Sequence, residues 1–104
     1  MPTPTESRKS WPERYGRRVA EPNARQRKVL DALSELGARR AELASRKAYM
    51  TSAGRKELDS IYGAIRKQIE RGVTLGIGHE QMRERVGVNS SAYYKIKSGR
   101  TGGN

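Results

Sequence analysis

Three stretches hold side chains whose types and spacing could do chemistry. His79-Glu80-Gln81-Met82-Arg83 begins like a zinc-protease helix, in which a second histidine must stand one turn after the first. Arg83 occupies that place, His79 is the only histidine and cysteine is absent, so the usual transition-metal ligand set cannot be assembled. Gly76-Ile77-Gly78 opens like a dinucleotide-binding loop, but Gln81 stands where the third glycine belongs and no hydrophobic parallel strand precedes it. Phosphate-cradling Gly-Lys-Ser/Thr loops and nucleophile elbows are missing too. The expectation is therefore a protein that is not an enzyme, without metal or cofactor. The third stretch, residues 89–98, differs. Asn89, Ser90, Ser91, Tyr94, Lys95 and Lys97 offer amide, hydroxyl and ammonium groups within ten residues, suited to hydrogen bonding and charge attraction toward an anionic partner.

The residues around that stretch say how it is held. Gly87 permits the left-handed backbone that stops one helix and redirects the chain. Val88 can point inward, Asn89 is a preferred N-cap, and Gly99 falls where a second left-handed stop belongs. Tyr93 and Ile96 share one helix face, with Ser91, Tyr94 and Lys95 turned away from it. Before Gly87, residues 79–86 read as a short helix with Met82 and Val86 inward and two acids near its start, where the dipole favours them. His79 reads as a partly exposed polar residue at that start.

The 104 residues make at most one small domain, 34% hydrophobic and 32% charged, with no Phe and few β-branched residues. An all-α fold follows. Asn23 can cap a helix over about 24–50, with Val29, Leu30, Leu33 and Leu36 as its apolar stripe, a bend near Gly37, and a seam running from Val29 through Leu36 and Leu43 to Met50. Arg40 and Lys47 stand where that seam would want leucine. Residues 51–54 read as the turn, with Ser52 as cap. A second helix over about 54–71 carries Leu58, Ile61, Tyr62, Ile65 and Ile69 on one face. Gly63 within it is read as a place of close helix approach, and Gly72 as its C-terminal stop. The two helices form an αα-hairpin, and residues 73–78 an irregular connection.

Net charge is +11. Eight basic side chains face three acidic ones in residues 1–28, six face five in 29–60, and eight face three in 61–104. The middle reads as scaffold and the ends as contact surfaces. Residues 1–22, with all four prolines, read as a flexible basic tail in which Arg17 and Arg18 could follow a phosphate backbone. Trp11 is expected to cap the helical domain rather than stack on a base. Residues 101–104 are expected to be a disordered end. The absence of cysteine, of a signal-peptide core and of a membrane-length apolar run leads to the expectation of a cytoplasmic, nucleoid-associated protein that does not enter a membrane.

From Glu70-Arg71-Gly72 to Gly99, the chain resembles helix-turn-helix DNA-binding domains, among them the C-terminal domains of DNA invertases and resolvases and small bacterial and phage regulators. The matching residues are Met82, Val86, Gly87, Val88, Asn89, Ser90, Ser91, Tyr93, Tyr94, Lys95 and Ile96. Arg83 stands where the family has alanine or glycine, and Tyr93 where it has a β-branched residue; either a tyrosine ring under the arginine stem fills that crossing by cation–π contact, or the helices cross at a wider angle. The connection from Gly72 to Met82 is several residues longer than in the invertase-like domains.

The resemblance implies a sequence-specific DNA-binding regulator. Asn89, Ser90, Ser91, Tyr94 and Lys95 would meet base edges or nearby phosphates, with Lys95 the guanine reader. Arg71, Arg85, Lys97 and Arg100 would hold the backbone, helped by Arg17 and Arg18. Two other expectations stand beside it: a small basic protein that binds, and inhibits, an acidic protein partner, and a homodimer formed through the hairpin. A monomer fits nearly as well, because Leu58, Ile61, Ile65 and Ile69 could all be consumed by the first helix.

Overall fold

The computed structural model describes residues 18–99, which are all-helical; Arg17, Arg100, Trp11 and the 101–104 end lie outside the described residues. Helix α1 spans Ala24–Ser45. Its start is a reciprocal capping box: the Gln26 N–H donates to Asn23 Oδ1 at 2.8 Å and the Asn23 N–H donates to Gln26 Oε1 at 3.0 Å. The Gln26 side chain also donates to the Leu75 carbonyl at 2.9 Å, tying the start of α1 to the far end of the next long helix.

α1 runs unbroken through Gly37 and stops earlier than its composition suggests. It ends at Ser45, Lys47 takes a left-handed conformation at φ 55°, and a single 3₁₀ turn over Ala48–Met50 follows. The expected helix to residue 50 is thus corrected. The seam closes at Leu43, which is 2% exposed, whereas Met50 is 66% exposed. Thr51 rather than Ser52 caps α2, its Oγ1 accepting the Gly54 N–H at 3.0 Å. Gly54 lies inside the first turn of α2, where a Cβ would meet the Ala48 carbonyl.

Helix α2 spans Ser52–Thr74. Leu58, Ile61, Ile65 and Ile69 bury against Val29, Leu30, Leu33 and Leu43 of α1, each fully buried aliphatic side chain being worth about 2 kcal/mol. Gly72 does not end the helix. It is buried within it, and a Cβ there would overlap Met82 Sδ. The stop is a Schellman motif one turn later: Gly76 at φ 83° donates to the Val73 carbonyl at 3.0 Å, and the Ile77 N–H donates to the Gly72 carbonyl at 2.9 Å. Ile77, wholly buried, anchors the turn. The connection to the next helix is therefore only residues 75–78. Gly63 has nothing within 4 Å of a Cβ, so it is not the point of close approach. That point is Gly37, whose missing side chain lets the Val86 carbonyl of helix α3 (His79–Val86) sit directly on α1.

α3 and helix α4 (Ser90–Ser98) lie across the hairpin, α3 against α1 and α2, and α4 against α2. Two of the described residues before α1 reach α3. Val19 donates to Gln81 Oε1 at 2.6 Å and accepts from Gln81 Nε2 at 3.0 Å, and Arg18 pairs with Glu84. Gln81 is 8% exposed, so both halves of its amide need partners, and the Val19 backbone supplies them. Arg18 and Val19, read from the sequence as the end of the tail, are thus bonded to α3.

Candidate nucleic-acid interface

The joint between α3 and α4 is three residues long, and each has one task. Gly87 at φ 81° sends its N–H back to the Arg83 carbonyl at 2.9 Å. Val88 is 8% exposed and seats the turn in the core. Asn89 caps α4, its Oδ1 accepting the Ala92 N–H at 2.8 Å. α4 then buries Tyr93 and Ile96, both 1% exposed, and closes on Gly99 at φ 78°. Arg66 of α2 donates to the Ile96 carbonyl at 3.1 Å, which holds the C-terminal end of α4 to the scaffold.

The crossing of α3 and α4 is filled in a way the sequence did not indicate. Arg83 is not stacked on Tyr93. Its guanidinium donates to the Val88 carbonyl at 2.7 Å and to Glu80 Oε1 at 2.5 and 3.1 Å, stitching the turn to α3. The Tyr93 hydroxyl instead meets His79 Nδ1 at 2.7 Å. Burial, and after it the neighbouring Tyr94, push the Tyr93 hydroxyl far above the ordinary tyrosine range, so it stays protonated. Burial first, then the positive charge of Lys97, hold the His79 imidazole below its ordinary value of 6.5.

That depression has a consequence for stability. The unfolded chain takes the proton more readily than the folded one, so the contribution of His79 is full above about pH 6.5 and is lost as pH falls from there through the lower folded value. Thermal melts between about pH 7.5 and 5.5 should show the midpoint falling with pH, and a His79→Gln variant should flatten that segment of the curve. An unchanged slope in the variant would assign the effect to carboxylates.

The face of α4 turned from the core carries Ser90, Ser91, Tyr94, Lys95, Lys97 and Ser98, all exposed. Helical rotation of about 100° per residue centres that face on Ser91, Tyr94 and Ser98, with Lys97 on one flank and Lys95 on the other. Tyr94 is 52% exposed, stands edge-on to Tyr93 at 5.2 Å between ring centroids, and has Lys97 Nζ 6.0 Å from its ring. Carboxylates are absent from α4. Beside the Lys95 flank is a cleft of about 230 Å³ where Asn89, Ser91 and Lys95 meet Arg40 of α1 and Tyr62 of α2. Arg40 forms no ion pair among the described residues, and its Nε is buried without a hydrogen-bond partner.

The other expected contacts do not join this face. Arg85 is spent on α1, reaching Asp31 Oδ1 at 3.4 Å and Ser34 Oγ at 3.2 Å. Arg18 is paired with Glu84 at 2.5 Å. Arg71 lies in a different groove, with Arg25, Lys28 and Lys67. Arg17 and Arg100 lie outside the described residues. Arg40 and Tyr62 were missed because they are distant in sequence from residue 89. The signal for Arg40 was its place in the apolar seam, where an arginine needs a reason. Among the described residues no group of His, Asp and Glu could hold a metal ion, and no helix is long and apolar enough to cross a membrane. Comparison of the chain with protein-family models, curated proteins and solved structures finds no match.

Proposed function

We propose that α3 and α4 act as a helix-turn-helix and that α4 enters the major groove of double-stranded DNA, making the chain a sequence-specific DNA-binding protein of the kind that regulates bacterial or phage transcription at the nucleoid. One observation carries the reading: a nine-residue helix presents hydroxyl, phenol and ammonium groups outward, with no carboxylate, from a base fixed by two buried side chains and two capped ends. Ser91 and Tyr94 occupy the centre of that face, where base edges would lie. Lys97 on one flank and Arg40 beyond the other would meet the two phosphate backbones. Lys95 is the residue on the cleft flank with the reach to meet guanine. In a homodimer two copies of α4 would read half-sites about 34–36 Å apart.

Selection from a random duplex pool tests binding and sequence choice together. An enriched motif is the expected result; a pool that stays random removes the reading. Titration at several salt concentrations then assigns the cations. Lys97→Ala should lower the log–log salt slope by about 1, whereas Arg71→Ala, on the far side of the hairpin, should leave it unchanged. Lys95→Ala should lose discrimination between best and random sites more than it loses non-specific binding. Unchanged selectivity in that variant would mean α4 does not read the bases.

A further inference from the structure

The hairpin has a second charged surface, on the side away from α3 and α4. On α1, Asp31, Ser34 and Gly37 face α3, through Arg85 and the Val86 carbonyl; at about 100° per residue, Arg25, Lys28 and Ala32 lie on the opposite side. On α2, Arg66 and Gly72 face α4 and α3, and the same rotation puts Lys67 and Arg71 opposite. Between these far faces runs an open groove of about 780 Å³. Ala32 and Leu75, both half-buried, line it with apolar surface above the buried Val29. Arg25, Lys28, Lys67 and Arg71 line it with charge, and Glu70 is its only carboxylate among the described residues.

The four cations share the groove with Glu70 but are not paired with it. None forms an ion pair among the described residues, whereas Arg18, Arg39, Arg46, Arg83 and Arg85 all do. Like charges held together without partners repel one another, and an acidic group brought among them relieves that repulsion as well as gaining attraction. A sugar–phosphate backbone would satisfy the charges but leave the apolar surface wet. A second copy of the chain would bring another net +11 toward the same cations. An amphipathic helix with a carboxylate-rich polar face satisfies both.

We propose that this groove docks an acidic amphipathic helix of a partner protein, with its apolar residues on Ala32 and Leu75 and its carboxylates among Arg25, Lys28, Lys67 and Arg71. The groove shares no residue with α4 or the Arg40 cleft, so it stands or falls independently of DNA binding.

The test uses the full chain and a fluorescein-labelled synthetic peptide of about 18 residues, five helical turns, with leucine at i, i+4, i+7 and i+11 and glutamate on the flanks. A scrambled peptide of the same composition is the control. By anisotropy, the patterned peptide should bind at least about tenfold tighter than the scrambled one, and the Lys28→Glu/Arg71→Glu double variant should lose that binding by about tenfold or more. Lys95→Glu should leave peptide binding intact while weakening duplex retention, and the double variant should do the reverse. Amide shifts of the unmodified chain on peptide addition should fall on Arg25, Lys28, Lys67 and Arg71. Equal binding of the scrambled peptide, shifts centred on residues 89–98, or displacement of the peptide by short duplex DNA would each overturn the proposal.

Discussion

Gly37→Ala should destabilise the protein by about 2–3 kcal/mol, against the sign that helix propensity alone would give. A Cβ at Gly37 would lie 2.1 Å from the Val86 carbonyl oxygen, 2.8 Å from its carbon and 2.9 Å from its Cα. All three are backbone atoms, so no flexible side chain can swing away, and α3 must lift off α1 as a unit. That movement would also strain the Arg85 contacts with Asp31 and Ser34 beside it. Gly63 supplies the internal control. It sits in α2 with open space around a Cβ, so the same substitution there should stabilise by about 1 kcal/mol through propensity alone. Urea melts of the two variants should therefore move in opposite directions from the parent. If both become more stable, α3 does not rest on α1 in the way described.

The second large effect is at Tyr93. Its ring is 1% exposed, packed under α3 and against α2. Tyr93→Ala should cost about 3–5 kcal/mol, the range for emptying a buried aromatic site. Tyr93→Phe keeps the ring and loses only the hydroxyl bond to His79, which is half-buried and can turn toward water, so about 1 kcal/mol is expected. The pair also separates folding from recognition. Phenylalanine should leave duplex binding near the parent, because Tyr94 rather than Tyr93 faces outward, whereas alanine should lose it with the placement of α4. A Tyr93→Phe variant that folds normally but no longer binds duplex would move the proposed interface to the His79 side of the pair.

Where a residue's role was local, the sequence displayed it. Asn23 and Asn89 cap their helices, Gly87 and Gly99 take the left-handed turns, and Tyr93 and Ile96 share the buried face, because each needs only its neighbours within one helical turn. What stayed hidden was set by distant partners. Lys47 takes a left-handed conformation without being glycine, so the end of α1 carried no signal. Gly54 and Gly72, read as turn residues, are glycines because Ala48 and Met82 press on them. Arg71 sits close in sequence to the helix pair but about 200° around α2 from Ile69, and following the apolar stripe would have put it on the far side. Arg40 reaches the Asn89 cleft from a different helix altogether, and only the packing of α1 against the turn brings them together.

The fastening of Val19 to Gln81 also bears on the order in which the chain assembles. The hairpin's contacts are comparatively local, as in the Arg39–Glu57 pair 18 residues apart. The contacts that seat α3 span 54 residues for Arg85 with Asp31 and 62 for Gln81 with Val19. Long loops close late, so α1 and α2 should zip first and α3 with α4 should dock onto a surface already formed. The last unit to arrive is generally the first to leave, and amide exchange should find α4 less protected than the middles of α1 and α2. The proposed recognition helix would then belong to the part of the protein that opens most readily, where binding to a partner has the most order left to add.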